Sequence, residues 1–562
     1  MNRAAAAEAQ TPPRAMTLDE SCEALIRLGL IHHREHRLDQ ARAVYSAILG
    51  VRPDHADSLH LMGVIAYQEG RAEEAIDLIT RALRLNHRRP DYASNLGNAL
   101  QRAARLSEAE DCYRTAIALD PDNATAHNNL GAVLHEQGRA TEALAHCRKA
   151  LALRPDYADA HNNLAIAEAD CGQFEAAAAS ARAALALDPG RTETRNNLAI
   201  VLSHLGRFDE ALAEFETALA AMPDNAEVHH NLGMTLLKMG RFEAGWREYE
   251  WRWRTRQFGA NRRDFAQPRW DGAPLGGRTL LVHAEQGFGD TLQFCRYAAR
   301  IAGRVVLEVP EALVGLLAGQ LGGCAVVRRG DPLPDFDIHC PMLGLPALVE
   351  PAPDPAANAE PYLKADPGKA AAWRDRLKGL PGLRVGLVWA GGKRADQPVM
   401  GLVDGRRSMA LSTLAPLAGV AGVSWISLQK GPPAAEARRP PPGLDLHDFT
   451  AELGDFAETA ALVEALDLVI SVDTAVAHLA GALGKPVWLL NRFDSCWRWP
   501  TARSDSPWYP TLTQFRQPRP GDWPSVVGEV AEALARAAAE PGAAPADPIS
   551  SSTPRRGASR PS

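Results

Sequence analysis

The sequence predicts an α-solenoid followed by an α/β region of two Rossmann-like lobes, and two periodicities lead to this prediction. In the first half, prolines and small residues recur at five positions of a 34-residue unit. From about residue 270, apolar runs of four to six residues alternate with helical patterns, which is typical of βα units. At about 100–200 residues per domain, the chain has room for three or four domains.

Charge and cysteine content narrow the class of protein. Lys and Arg total 61 against 68 Asp and Glu, a net charge of −7, which gives no global basic field for nucleic acid. The eight cysteines form no CxxC pair, so zinc modules and a disulfide framework are not expected. No signal peptide and no apolar run of about 20 residues is found. We therefore expect a reduced, cytoplasmic protein without a membrane span.

Each 34-residue unit between 20 and 255 predicts two helices. Small residues let the two helices approach closely: Gly63, Gly97, Gly131, Ala165, Ala199 and Gly233. A glycine ends the first helix in a left-handed conformation: Gly70, Gly138, Gly172, Gly206 and Gly240. The second helix closes at a proline: Pro53, Pro121, Pro155, Pro189 and Pro223. This pattern resembles the tetratricopeptide repeat. The seventh unit ends in WREYEWRW (246–253), an aromatic end expected to cap the solenoid or dock it on the next domain.

An asparagine recurs in the same register two residues before the small residue of the first helix. The positions are Asn95, Asn129, Asn163, Asn197 and Asn231. In a tetratricopeptide superhelix this position faces the concave groove. An amide has donors and an acceptor, so this asparagine ladder predicts binding of a protein acceptor through its peptide backbone. The alternative is that asparagine is common at this position and orders neighbouring repeats.

The α/β half divides into a first lobe (270–365) and a second lobe (366–540), while 1–19 and 541–562 are expected to be disordered. Strand candidates are 279–284, 304–309, 325–328, 336–338, 383–389, 423–428, 467–472 and 486–490. Helices are expected at 369–378, 411–419, 455–466, 475–483 and from 521–524 to about 537. In such lobes ligands bind at the carboxyl ends of the strands.

The turn after strand 279–284 carries the first candidate residues. Its glycines permit close backbone approach, and Asp290 opens the next helix. Asp290 is a candidate general base for an acceptor hydroxyl. His283 and Glu285 on the same strand end compete for that role, and the alternative for Asp290 is a helix N-cap.

The turn after strand 467–472 carries the second group of candidates. Asp473, Thr474, Ala475 and His478 lie at a helix N-terminus, whose free N–H groups suit a diphosphate. The alternative is a capping Asp and a buried His. Two cations near other strand ends, Arg407 and Lys430, are candidates to neutralise the departing phosphate. The alternative for both is a solvated surface position.

The segment DFAETAALVEALDLVISVDTAVAHLAGALGKPVWLL (455–490) resembles the donor signature of glycosyltransferase family 9, the heptosyltransferase-like enzymes. Ala475 stands where the family usually has Gly. Arg406–Met409 is similar to the family's basic patch, and Gly289–Asp290 is similar to its G–D loop, whose Asp is the presumed base. The resemblance implies a GT-B architecture, a nucleotide-sugar donor, and neither metal nor cofactor.

The whole layout resembles bacterial fusions of tetratricopeptide repeats to such a domain, among them flagellin glycosyltransferases, and the protein O-GlcNAc transferases. The resemblance implies sugar transfer from a nucleotide to a protein held by the repeats, with flagellin as one candidate. Two alternatives stay open: a non-catalytic repeat scaffold with a degenerate transferase domain, and a transferase acting on lipopolysaccharide. The first lobe is short, about 90 residues against a usual lobe of ~150, so the repeats are expected to take over acceptor binding.

Overall fold

The computed structural model describes residues 17–259, 262–353, 358, 360–392 and 397–539. The contacts divide the chain into two compact units, one ending at Ala167 and one beginning at Glu168. Of the predicted disordered ends, 1–19 and 541–562, only residues 17–19 belong to the described residues, and there the first helix already begins at Leu18. The domain boundaries derived from the sequence stay predictions.

Seven consecutive helix pairs form the repeats. The helices are α1 (Leu18–Arg34), α2 (Leu38–Val51), α3 (Ala56–Gln68), α4 (Ala72–Leu85), α5 (Pro90–Arg102), α6 (Leu106–Leu119), α7 (Ala124–Glu136), α8 (Ala140–Leu153), α9 (Ala158–Asp170), α10 (Phe174–Leu187), α11 (Thr192–His204), α12 (Phe208–Ala221), α13 (Ala226–Lys238) and α14 (Phe242–Tyr249). Helices α1–α8 and most of α9 belong to the first unit, and the others belong to the second.

The glycine after each first helix is in the left-handed region, as predicted. Gly138, Gly172 and Gly206 all have φ of 74°. Two repeats lack the glycine, and there His36 (φ 57°) and Ala104 (φ 59°) adopt the same conformation. The repeat therefore imposes a left-handed residue at this position even where a side chain makes it unfavourable.

The small residues inside the first helices are required by close packing. A Cβ on Gly97 would lie 2.7 Å from Cε1 of Tyr113, and a Cβ on Gly131 would lie 2.6 Å from Sγ of Cys147. Real Cβ atoms do not approach this closely, so these helices touch through glycine. The prediction from the 34-residue pattern is confirmed.

The aromatic end docks on the α/β region rather than ending free. Helix α14 continues as a 3₁₀ turn, Glu250–Arg254, before the short α15 (Arg256–Gly259). Trp246 Nε1 donates a hydrogen bond to the carbonyl of Pro351 (2.8 Å). The Trp246 ring meets the Trp497 ring edge-on, with centroids 5.2 Å apart. The last repeat and the α/β region thus share a buried aromatic core.

The α/β region contains two sheets in which every strand pairing is parallel. The first sheet contains β1 (Thr279–His283), β2 (Arg304–Val309), β3 (Ala325–Arg328) and β4 (Ile338–Pro341), with α16 (Phe288–Ala298), α17 (Glu311–Leu317) and α18 (Leu345–Val349). The second contains β5 (Leu383–Val388), β6 (Val423–Ser427), β7 (Leu446–Asp448), β8 (Leu468–Val472), β9 (Val487–Asn491) and β10 (Leu512–Arg516), with α19 (Pro367–Leu377), α20 (Pro398–Arg406), α21 (Phe456–Glu464), α22 (Ala475–Ala482) and α23 (Trp523–Ala539).

Each sheet has a point at which the chain reverses its direction of strand addition. The order of the first sheet is β3-β2-β1-β4, and the reversal lies between β1 and β4. The order of the second is β10-β9-β8-β5-β6-β7, and the reversal lies between β8 and β5. Loops leaving the carboxyl ends of strands at such a switch point diverge and leave a crevice in which ligands bind. The loops after β1 and β8 carry the candidate residues.

Candidate active site

Asp290 lies in the first turn of α16, immediately after the loop that follows β1. One oxygen, Oδ2, accepts a hydrogen bond from the N–H of Gly287 (2.9 Å). The other, Oδ1, forms an ion pair with the guanidinium of Arg498. The carboxylate therefore caps its own helix, and it also faces a charged partner from the second lobe.

His478 lies in the first turn of α22 and is 4% exposed. Nδ1 is 3.0 Å from the hydroxyl of Tyr509, and the ring stacks on Trp499 with centroids 5.2 Å apart. Burial lowers the pKa of His478 to about 4. The imidazole is therefore neutral at pH 7, held rigidly between two aromatic rings.

The two candidate loops meet. A Cβ on Gly289 would lie 2.8 Å from Cδ2 of His478 and 3.6 Å from Cα of Ala475. Only a glycine lets the α16 turn come this close to the N-terminus of α22. The structure thus brings Asp290 and His478, from different lobes, to one place.

Arg407 contacts the turn that precedes α22. Its Nη1 donates to the carbonyl of Asp473 (3.2 Å), and Nη2 pairs with Asp404 (2.8 Å). Burial raises the pKa of Asp473, but the opposing effect of neighbouring groups, Arg407 among them, is larger. The pKa of Asp473 therefore lies below its usual value. Thr474 is the N-cap of α22, and its hydroxyl lies 3.0 Å from the Ser471 hydroxyl. Arg407, Asp473, Thr474, Ala475 and His478 therefore form one group.

Lys430 is placed differently from the other donor candidates. Its Nζ donates to the carbonyls of Thr450 (2.8 Å) and Leu453 (2.9 Å), so its ammonium anchors the loop after β7. Lys430 also lines a cavity of about 430 Å³ with Arg438, Asp448 and other residues of 431–451. This cavity opens beyond the carboxyl ends of β6 and β7.

Glu285 and His283, the competitors of Asp290, are both engaged in the interior. Glu285 accepts two hydrogen bonds from the fully buried Arg252 (3.0 and 3.1 Å) and one from the N–H of Leu343 (2.9 Å). His283 is 3% exposed, and burial lowers its pKa to about 3. Of the three candidates, Asp290 is the one that lies against α22.

The asparagine ladder makes contacts between successive repeats. In the first unit, Nδ2 of Asn129 donates to Asn98 (2.9 Å), and Nδ2 of Asn163 donates to Asn128 (2.9 Å). Asn95 Nδ2 lies 2.8 Å from His60 Nε2. In the second unit, Asn231 Nδ2 donates to Asn196 (3.1 Å). The four asparagines with these contacts link neighbouring repeats, and all five ladder residues, Asn197 included, are partly exposed.

The sequence did not point to Arg498, which pairs with Asp290 in the structure. It belongs to the segment CWRWP (496–500) that follows β9, and its side chain is 11% exposed. Its partner Asp290 is 208 residues away in the chain. The run Trp497–Arg498–Trp499, which follows the end of β9, is the feature of the sequence that could have indicated it.

Models of known families match both halves of the chain. Models of the tetratricopeptide repeat match residues 26–93, 94–158, 170–229 and 204–245. The model of glycosyltransferase family 9 (heptosyltransferase) matches residues 429–520. The chain therefore carries tetratricopeptide repeats and, at 429–520, a segment that matches glycosyltransferase family 9. This family 9 match includes Lys430, the Asp473–His478 turn and Arg498, whereas Asp290 and Arg407 lie before it.

One curated relative is Protein FlbA of Caulobacter vibrioides, 29% identical over 322 residues. The aligned part is 52% of this chain and 52% of FlbA, so the chain spans about half the length of the curated relative it matches.

Solved structures similar to this chain include tetratricopeptide proteins. TTC0263 of Thermus thermophilus is 27% identical and covers 32% of this chain and 99% of its own, with a TM-score of 0.29. Pseudomonas aeruginosa pilF is 20% identical and covers 38% and 96%, with a TM-score of 0.35. The Cut9–Hcn1 hetero-tetramer of the APC/C is 20% identical and covers 38% and 43%, with a TM-score of 0.37.

The described residues contain neither a candidate metal site nor a candidate membrane span. Within them, no three His, Cys, Asp or Glu side chains are grouped so as to hold a metal ion. Among the helices described, none has the length and apolar character needed to cross a membrane.

Proposed function

We propose that the protein transfers a sugar from a nucleotide-sugar donor to a protein acceptor held by the repeats. The observation that carries the proposal is the contact between the α16 turn and the N-terminus of α22. This contact brings the Asp290 carboxylate, which follows β1 at the switch point of the first sheet, next to the N-terminus of α22, which follows β8 at the switch point of the second sheet. The family 9 match over 429–520 supports the same reaction class.

The donor diphosphate lies over the N-terminus of α22, next to Thr474, Ala475 and His478. Free N–H groups and the positive end of the helix dipole stabilise its charge, and Arg407 adds a cation fixed by two partners. This arrangement holds and neutralises the phosphates without a metal ion. The nucleoside extends toward the cavity beside Lys430, whose volume of about 430 Å³ suits a small-molecule group.

Asp290 is the general base. It accepts the proton of the acceptor hydroxyl while that oxygen forms a bond to the anomeric carbon of the sugar. The bond from the anomeric carbon to the phosphate oxygen breaks, and the nucleotide leaves with the negative charge that α22 and Arg407 stabilise. General base catalysis of this kind typically contributes about 10²–10⁴-fold to the rate.

The repeats hold the acceptor. A segment of the acceptor protein binds the asparagine ladder, and its peptide groups pair with these partly exposed amides. Flagellin is one candidate acceptor, and such modification would take place in the cytoplasm. A transferase acting on lipopolysaccharide would not need a peptide-binding ladder. A non-catalytic scaffold would not need a carboxylate base next to α22.

The first experiment tests catalysis. The full-length protein is screened with UDP-, GDP-, ADP- and CMP-sugars for donor hydrolysis, and Asp290→Asn is compared with the wild type. The asparagine keeps an oxygen for the Gly287 N–H but loses the proton-accepting carboxylate. We expect retained donor binding and turnover lowered by about 100-fold or more. Near-normal turnover of the variant would show that Asp290 is only a helix cap. If the wild type hydrolyses none of the four donors, the non-catalytic scaffold is favoured.

The second experiment tests acceptor binding with a matched pair of triple variants. Asn129, Asn163 and Asn197 replaced together by Ala are expected to abolish transfer to the protein acceptor and to leave donor hydrolysis intact.

The control replaces three other asparagines by Ala: Asn98 and Asn128, which accept from Asn129 and Asn163, and Asn196, which accepts from Asn231. It removes contacts of the same kind between repeats. Each lost hydrogen bond costs about 0.5–1.5 kcal/mol of stability in either variant. Equal loss of transfer in both variants would mean that the ladder serves repeat packing alone.

A further inference from the structure

Arg498 is fixed on three sides. Its Nε donates to Oε1 of Gln293 (3.1 Å), and its Nη2 pairs with Asp290. The guanidinium lies 4.1 Å from the centroid of the Trp497 ring. Its backbone carbonyl accepts a hydrogen bond from Trp508 Nε1 (3.0 Å). The planar guanidinium can contact Gln293, Asp290 and Trp497 at once because its donors form a rigid fork.

The platform under Arg498 is held by the last repeat. The Trp497 ring packs against Trp246 at 5.2 Å and against Tyr249 at 6.1 Å, both from the aromatic end. Trp246 is in turn fixed by its hydrogen bond to the Pro351 carbonyl. A continuous packed path therefore runs from the aromatic end through Trp497 to Arg498 and Asp290, all within the unit that begins at Glu168.

Other cations near Asp290 are committed elsewhere. Arg296, on the same helix, donates to the carbonyl of Trp508 (2.9 Å) and to the hydroxyl of Tyr362 (3.0 Å). His478 is uncharged at pH 7, because burial lowers its pKa to about 4. Among the described residues, Arg498 is the cation that contacts the Asp290 carboxylate.

We propose that Arg498 is a positioning residue that aims the Asp290 carboxylate at the acceptor hydroxyl and is itself held by the aromatic end. The proposal rests on the role of Asp290 given under the proposed function. A carboxylate offers about four acceptor positions. The Gly287 N–H and Arg498 take one on each oxygen, which stops rotation about the terminal bond and leaves positions on both oxygens for a hydroxyl. With the Gly287 contact alone, Oδ1 would be free to swing away.

Steady-state kinetics test the proposal. Arg498→Gln is expected to lower kcat by about 100-fold, the typical loss when a catalytic group is misplaced by about 1 Å. The donor KM should stay unchanged, because the donor contacts lie on α22 and Arg407. Arg498→Lys keeps a cation near Asp290 but cannot also bind Gln293, so it should recover part of kcat. Arg503→Gln, which breaks an exposed ion pair with Asp505 elsewhere in the connection from β9 to β10, is the matched control and should behave as wild type.

A second measurement needs no donor. Carbodiimide with an added amine labels accessible carboxyl groups, and peptide mass spectrometry reads the labelling rate of Asp290 at one fixed pH. The rate should rise several-fold in Arg498→Gln, less in Arg498→Lys, and stay unchanged in Arg503→Gln. If Arg498→Gln does not fold, the kcat and the Asp290 labelling rate of Arg498→Lys test the proposal instead.

The outcomes separate this proposal from the proposed function. If Asp290→Asn turns over normally, the base assignment fails whatever Arg498 does. If Asp290→Asn is inactive, yet Arg498→Lys and Arg498→Gln keep wild-type kcat and labelling, Arg498 does not position Asp290. A fall of kcat with a parallel rise of donor KM and unchanged labelling would assign Arg498 to donor binding and also overturn the proposal.

Discussion

The contact between Gly289 and His478 makes the strongest prediction about the site. Replacing Gly289 by Ala adds a Cβ that would lie 2.8 Å from Cδ2 of the His478 ring. Carbon atoms prefer separations of about 3.5–4.0 Å, so one of the two groups must move by about 0.7 Å or more. Gly289 lies within α16, where alanine is otherwise the better helix former by about 1 kcal/mol. Any loss caused by the substitution therefore comes from this contact.

The His478 ring cannot move away at low cost. It is 4% exposed, stacks on Trp499 and lies within hydrogen-bond distance of the Tyr509 hydroxyl. Overpacking a well-packed site typically costs about 1–3 kcal/mol. If the strain separates the α16 turn from α22, that energy corresponds to a loss of about 5- to 160-fold in kcat/KM.

The assay is donor turnover by full-length wild type and Gly289→Ala, with Gly454→Ala as the control. Gly454 is exposed, and a Cβ on it would meet no atom within 4 Å. We expect the Gly289 variant to lose activity within the stated range and the Gly454 variant to retain it. Wild-type kcat/KM in Gly289→Ala would refute the claim that the two loops form one site by this close approach.

Two further predictions concern stability. Ala104→Gly should raise the free energy of unfolding by about 0.5–1 kcal/mol, because glycine removes the strain of a left-handed alanine and regains more than it loses in chain entropy; a lower urea midpoint would contradict this. Burial lowers the pKa of His230 and His478 to about 4 and that of His204 to about 3, from 6.5. Between these values and 6.5 the histidines are protonated in the unfolded chain but not in the folded protein. The free energy of unfolding should therefore fall as the pH drops below ~6.5, by about 1–2 kcal/mol per histidine at pH 5. Urea midpoints at pH 7 and pH 5 measure this, and equal midpoints would refute it.

Most strands of the α/β region could be predicted because buried parallel strands appear as continuous apolar runs. Strand β8 (LVISV), for example, is buried along its whole length. The two strands without such runs were missed. Strand β7 (Leu446–Asp448) has three residues at a sheet edge, and β10 (Leu512–Arg516) carries the polar Gln514, which is buried because its amide donates to the Asp505 carbonyl (2.9 Å).

The site could be predicted only as far as strand ends and helix starts reveal it. Asp290 and the turn at Asp473–His478 each follow a strand, so general rules for α/β sheets identify them. Arg498 pairs with Asp290 through tertiary packing that no spacing in the chain encodes. The same holds for Lys430, whose ammonium is fixed by two carbonyl oxygens of a loop that the apolar pattern does not define.

The central claim is that the N-terminus of α22 binds the diphosphate of a nucleotide sugar. Isothermal titration of the full-length protein with UDP-, GDP-, ADP- and CMP-sugars tests it most directly when wild type and His478→Ala are compared. We expect one donor class to bind the wild type. The variant, with its circular dichroism spectrum unchanged, should bind that donor at least about tenfold more weakly, a loss of about 1.4 kcal/mol. Equal affinity of the two proteins for the donor, or no binding to the wild type by any of the four classes, would contradict it.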